Sequence, residues 1–232
     1  MCYSAAASFS AGALLLGIGT LTLRSALATR QRRALPFAAI PMLFAVQQLV
    51  EGVIWLTFTL TFAEEATQLN AVMTHVYSFF SHVLWPVYVP VAVLLIEPEG
   101  WRRRGLAAFA AAGAAVSAYL LVVLVAFPVV SRPTGQHIEY DSPHFFAAVT
   151  MTLYLLSTAI SPLLSTHRMV VIFGALALLS FGAAYAFYAT WFISVWCFFS
   201  ALLSSVVYLH FRERERARSP IVSVPARRSQ EA

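Results

Sequence analysis

The chain contains no lysine, and all fifteen of its basic residues are arginine. A lysine amine is needed for a retinal Schiff base, for a pyridoxal phosphate linkage and for catalysis by a lysine nucleophile. The sequence therefore excludes retinal and pyridoxal phosphate as cofactors. Even with seven membrane helices, this chain would not be a rhodopsin.

Charge is scarce: 11% of the 232 residues are charged and 60% are hydrophobic. Soluble domains carry about 25% charge. Several apolar runs exceed the roughly 18 residues that indicate a transmembrane helix. The composition therefore predicts one all-α domain that crosses a membrane several times.

Cysteine is also scarce, since Cys2 and Cys197 are the only two. They form no CxxC motif and no disulfide framework. The segment 1–20 has no basic residue, so the positive n-region of a signal peptide is missing. We therefore expect the first apolar run to be a retained helix.

The apolar runs and the turn residues between them predict a seven-helix bundle. Residues 63–70 form the expected turn before the third helix, and Asp141 or Ser142 is expected to cap the fifth. The tail 212–232 is charged and then rich in Ser, Pro and Arg, which is typical of disorder. The predicted helices are about 5–28, 35–62, 71–96, 105–127, 143–164, 169–187 and 190–211.

The arginines predict the orientation of this bundle. With seven helices, fourteen of the fifteen fall on one side, and only Arg132 lies opposite. The positive-inside rule then places the N-terminus outside and the C-terminus in the cytoplasm, in the cytoplasmic membrane. Because the arginines flank apolar runs, we interpret them as topology signals beside lipid and not as a nucleic-acid surface.

Polar residues on the second and third helices indicate a site. Glu51 and His82 are equally far from the centre of the turn between those helices, about 16 Å along a helix. That is near the middle of a core about 30 Å thick, where an acid and a base mark a functional site by default. Further polar or aromatic residues share the same two helix faces: Gln47, Gln48, Trp55, His75, Ser78 and Trp85.

We expect this cluster to bind a small polar ligand or a cation, or to relay protons, in a binding or transport protein. The alternative is that the polar side chains only join helices, each contributing about 0.6–2 kcal/mol. A second alternative is a membrane enzyme that depends on zinc or haem, in which a metal-bound water attacks a lipid-like substrate. Its candidate ligands are His75, His82, His137, Glu139 and His144.

Two further interpretations stay open. The histidines and acids of the loop 128–143 have no HxxxH or HExxH spacing, which favours a solvated loop whose acids cap a helix over a metal site. On the fifth helix, Tyr154, Ser157, Thr158 and Ser161 form either a ligand wall facing the last helix or hydroxyls bonded to their own helix. The facing residues on the last helix are Trp196, Ser200 and Ser204.

The opening Met1–Phe9, MCYSAAASF, resembles the M-C-F-S-A-x-A-S-F start of a family of uncharacterised bacterial membrane proteins, with Tyr3 in place of Phe. The resemblance implies a multi-pass architecture and supplies no mechanism. It continues through 47–55, 84–86 and 194–199.

The outside-in topology and the pair Ser78 and His82 also resemble the seven-helix metal hydrolases of the alkaline ceramidase and progestin-receptor-like superfamily. That resemblance implies a zinc hydrolase. Those enzymes need a C-terminal HxxxH pair, whereas the last helix here offers only His210.

Overall fold

The computed structural model describes residues 4–59, 64–98, 100–143, 145–187, 196, 199, 201 and 203–218. These residues are mostly helical. Six helices are long and apolar enough to cross a membrane, which fits an integral membrane protein: α1 (Ala5–Ala28), α2 (Arg32–Thr57), α3 (Glu64–Ile96), α4 (Trp101–Ala126), α5 (Ala147–Leu164) and α6 (Arg168–Phe187).

A seventh helix, α7 (Ser205–Arg218), is the last described element. It extends past residue 211, where the sequence predicts the end of the helical part of the chain. Ten of the 22 residues in the predicted span 190–211, including Ser200, lie outside the described residues, as does the end of the tail, 219–232.

The boundary between α2 and α3 differs from the one that the sequence predicts. α2 ends at Thr57, and α3 begins at Glu64, so most of the predicted turn 63–70 is helical. Glu64 and Glu65 occupy the first helical turn, where carboxylates interact favourably with the helix dipole. Polar composition alone therefore does not distinguish a turn from a polar helix start.

The predicted loop 128–143 contains a β-hairpin. Strand β1 (Val130–Thr134) pairs antiparallel with β2 (His137–Asp141). Gly135, with a φ of +62°, supplies the positive φ that a tight hairpin turn needs. Asp141 lies in β2, 3.7 Å from Arg132, and α5 starts later than expected, at Ala147.

The hairpin packs on the ends of α2 and α3 through aromatic and polar contacts. The ring of Tyr140 stacks on Tyr77, with centroids 4.5 Å apart. Thr74 donates to Ser131 (2.9 Å), and Ser131 donates to the side-chain oxygen of Asn70 (2.9 Å). We call this end of the bundle the hairpin end.

Each of two helices contains a π-helical turn close to a proline. In α3 the turn is Phe79–Leu84, before Pro86, and in α5 it is Leu156–Ile160, before Pro162. Proline has no N–H for the carbonyl four residues earlier. A π turn inserts about one extra residue, so it frees carbonyls and rotates the side chains after it.

Candidate functional site

A cavity of about 100 Å³ lies between α3, α4 and α5 and reaches the two ends of the hairpin. Most of its wall is apolar. None of the described residues that line it is Arg, Asp or Glu. Its polar side chains at the α3 wall are Ser78, Ser81 and His82, and we call this space the His82 cavity.

The π turn of α3 holds His82 in place. Its Nδ1 lies 2.8 Å from the Ser81 hydroxyl and 3.1 Å from the backbone carbonyl of Ser78. Tyr154 of α5 donates its hydroxyl to the backbone carbonyl of Ser81 at 2.5 Å. The hydrogen bond from Tyr154 thus links α5 to the π turn of α3 beside the cavity. The two contacts at Nδ1 hold the imidazole ring of His82 in place.

Ser78, on the same wall, has a buried hydroxyl that lacks a hydrogen-bond partner among the described residues. The residue is 1% exposed. An unpaired buried hydroxyl costs about 1–3 kcal/mol. Ser78 lines the cavity, so a rotation of its side chain would bring this unpaired hydroxyl to a ligand there.

The helix 2 residues of the predicted site form a separate group. Gln47, Gln48 and Glu51 are completely buried. Gln48 donates its amide to Glu51 (3.4 Å), and the indole of Trp85 donates to Gln47 (2.8 Å). We call these residues the glutamine cluster.

The structure therefore brings Gln47 together with Trp85 but places Glu51 off the wall of the His82 cavity. A pairing of Glu51 with His82 stays a prediction. The indole nitrogen of Trp55 is buried without a hydrogen-bond partner in the described part of the chain, and its ring packs edge-on against Phe58.

The candidate metal ligands are spread out. Within the described part of the chain, no three His, Cys, Asp or Glu side chains form a group that could hold a metal ion. His75 is half-buried, with its Nδ1 2.8 Å from the carbonyl of Ala71 on its own helix. Glu139 accepts from Thr134 within the hairpin (3.3 Å), and His144 lies outside the described residues.

His137 is buried at the start of β2, 8% exposed. Burial lowers the pKa of this histidine below its usual value. Because the folded state disfavours the protonated ring, the packed hairpin is most stable above the unfolded pKa. It loses stability as the pH falls from that value through the lowered pKa of the folded state.

The hydroxyls of α5 mostly bond to their own helix. Ser157 donates to the carbonyl of Leu153 (2.8 Å), and Thr158 donates to that of Tyr154 (2.8 Å). Tyr154 and Trp196 do line the cavity, with ring centroids 5.5 Å apart. Bonding to their own helix therefore accounts for Ser157 and Thr158, whereas a ligand wall that includes Tyr154 and Trp196 stays a prediction.

Sequence reasoning missed the α4 wall of the cavity. That helix contributes Tyr119, Leu120, Val123 and Leu124. These residues lie in a uniformly apolar run, so no polar spacing indicated that one face meets a cavity. Because Ser81 is next to His82 in the sequence, it could have been predicted as a further residue of the α3 wall.

The comparison with known families identifies the family of this chain but no activity. A family of unknown function, DUF6629, matches residues 1–222. The chain belongs to this family. No curated protein and no solved structure matches it. The family assignment therefore agrees with the expected uncharacterised family, and the function must be argued from the site itself.

Proposed function

We propose that this DUF6629 protein binds a small molecule in the His82 cavity, inside the membrane-spanning part of the bundle. The observation that carries the proposal is the hydroxyl of Ser78, which is buried and unpaired among the described residues of the cavity wall. A cavity of about 100 Å³ exceeds the roughly 10–15 Å³ that one water needs. Ligand pockets are typically apolar with a few placed polar groups, as here.

The proposal includes the topology that the arginines indicate. We propose seven membrane helices in the cytoplasmic membrane, with the hairpin end outside and the arginine-rich helix ends in the cytoplasm. A ligand would then reach the cavity from the outer side, where Val129 and Ser142 of the hairpin ends line it. The proposal covers the binding step, which transport and sensing share.

The glutamine cluster supports a second, independent role. Glu51 is completely buried with an amide donor at 3.4 Å. An ionisable group inside a membrane bundle is a candidate proton or cation site. We propose the glutamine cluster as that site, separate from the cavity.

Filling the cavity tests the binding proposal. Val123→Trp places an indole into the space, so ligand-dependent stabilisation should disappear. Thermal unfolding is followed in detergent with neutral, anionic and cationic alkylbenzenes, since a ligand of the native state raises the unfolding temperature. We expect at least one probe to stabilise the wild type by several degrees and to leave Val123→Trp unchanged.

Val122→Trp is the matched control. Val122 is the neighbouring residue on α4 and is 66% exposed, so its indole would extend away from the core. This variant should respond to the same probes as the wild type. Equal responses of the wild type and the filled variant to every probe would show that the cavity binds none of them and that the proposal is wrong.

A further inference from the structure

We infer that the ligand of the His82 cavity is a neutral molecule with a flat six-membered ring and a carbonyl oxygen on that ring, as in an alkylated quinone or an aromatic ketone. This inference rests on the proposed binding function and names the class of ligand. Three independent features of the cavity carry it.

Charge is the first feature. The described lining includes no Arg, Asp or Glu, and Nδ1 of His82 already contacts Ser81 and the carbonyl of Ser78. A buried ion without a paired charge incurs a large desolvation cost. The cavity therefore favours a neutral ligand over an anion or a cation.

Size and shape are the second feature. An apolar cavity of about 150 Å³ binds benzene in another protein. The His82 cavity is smaller, about 100 Å³, so it limits the ligand to a single ring, and its opening toward the hairpin ends leaves room for a chain to extend outward. The rings of Tyr119, Phe145 and Trp196 line it, and aromatic walls pack well against a flat ring.

Hydrogen bonding is the third feature. Buried serine hydroxyls of this chain often donate to a helix carbonyl, as Ser157 does at 2.8 Å. Ser78 makes no such bond in the described structure, so its proton is unused. A ligand that only donates would leave this proton unpaired, whereas a carbonyl oxygen accepts it.

A matched probe series tests the inference on the full-length protein. The probes are decylbenzoquinone, decylbenzene, 4-decylbenzoate and 4-decylbenzylammonium, which share a ring and a chain but differ in acceptor and charge. Dissociation constants are obtained from the concentration dependence of the unfolding temperature. We expect the quinone to bind at least about tenfold more tightly than the other three, a difference of about 1.4 kcal/mol.

Ser78→Ala should weaken quinone binding by about three- to tenfold, the range expected for one neutral hydrogen bond. The ligand-free variant should be as stable as the wild type or more so, because an unpaired hydroxyl has been removed. Ser8→Ala is the matched control: Ser8 is also buried and unpaired among the described residues, but it does not line the cavity. Quinone affinity should not change in that variant.

The outcomes separate the two proposals. If the benzoate or the ammonium probe binds as tightly as the quinone and Val123→Trp abolishes its binding, the cavity binds ligands but the ligand class is wrong. If decylbenzene binds as tightly as the quinone, the carbonyl contact is wrong. If no probe distinguishes the wild type from Val123→Trp, both proposals are wrong.

Discussion

Gly113→Ala is expected to destabilise the bundle by about 2–4 kcal/mol, toward the upper end of what overpacking costs. A Cβ built on Gly113 would lie 1.9 Å from the backbone carbonyl oxygen of Pro86 and 3.2 Å from the Ser157 hydroxyl. The carbonyl belongs to backbone, so it cannot rotate away as a flexible side chain would. Thermal or denaturant unfolding in detergent measures the effect.

The close approach at Gly113 has a cause in the sequence. Pro90, four residues after Pro86, has no N–H to donate to the Pro86 carbonyl, so that carbonyl faces α4 without its usual helix partner. A glycine on α4 lets the two backbones come together there and sets the spacing of α3, α4 and α5 beside the cavity. Because Gly113→Ala would push α3 and α4 apart beside the cavity, it should also reduce the stabilisation that a bound ligand provides.

Gly182→Ala is the control for this prediction. Within the described part of the chain, no atom outside the helix's own neighbouring backbone lies within 4 Å of the Cβ built on Gly182 in α6, and its backbone is helical. The substitution should leave stability unchanged or raise it by up to about 1 kcal/mol, because alanine is the better helix former. Equal effects of the two substitutions would mean that α3 and α4 do not approach each other as described.

Glu97→Ala should cost a similar amount, about 2–4 kcal/mol, because it removes a buried carboxylate that makes several hydrogen bonds. Glu97 is 3% exposed just after α3. Its carboxylate accepts from the Ser165 hydroxyl (2.8 Å) and from the backbone N–H of Thr166 (2.9 and 3.1 Å). It thereby fixes the connection that leads into α6.

The unfolding temperature of Glu97→Ala should fall clearly below that of Glu65→Ala. Glu65 is an exposed carboxylate in the first turn of α3, where the helix dipole interaction contributes at most about 1 kcal/mol. Because Glu97 lies past the end of α3 and does not line the cavity, the folded variant should keep its ligand response. An unfolding temperature equal to that of Glu65→Ala would contradict the buried carboxylate contacts.

The length of the apolar runs was enough to predict a mostly helical membrane protein. A long uncharged run in lipid can pair all of its backbone N–H and C=O groups within itself only as a helix. The hairpin could not be predicted in this way. Arg132 and Pro133 are poor strand residues, and β1 and β2 are held by contacts with Tyr77 and Thr74, which are distant in sequence. Such long-range packing leaves little local signal.

The site was predicted only in part for a related reason. Regular helical spacing places His82 and Trp85 on one helix face, but the π turn Phe79–Leu84 interrupts the helix directly before Trp85. An extra residue in a turn rotates the side chains after it by about 100°. Trp85 accordingly meets Gln47 of α2, while His82 lies on the cavity wall toward α4 and α5.

Photolabelling with an alkylated benzophenone tests the central claim, that the His82 cavity binds a small molecule, most directly. Benzophenone is a neutral aromatic ketone, and peptide mass spectrometry locates the residues that it labels. We predict labels on the cavity walls, at Val123, Leu124 or Met151, and their loss in Val123→Trp. Labels confined to exposed apolar residues such as Leu14 and Leu179, and unchanged in the filled variant, would contradict the claim.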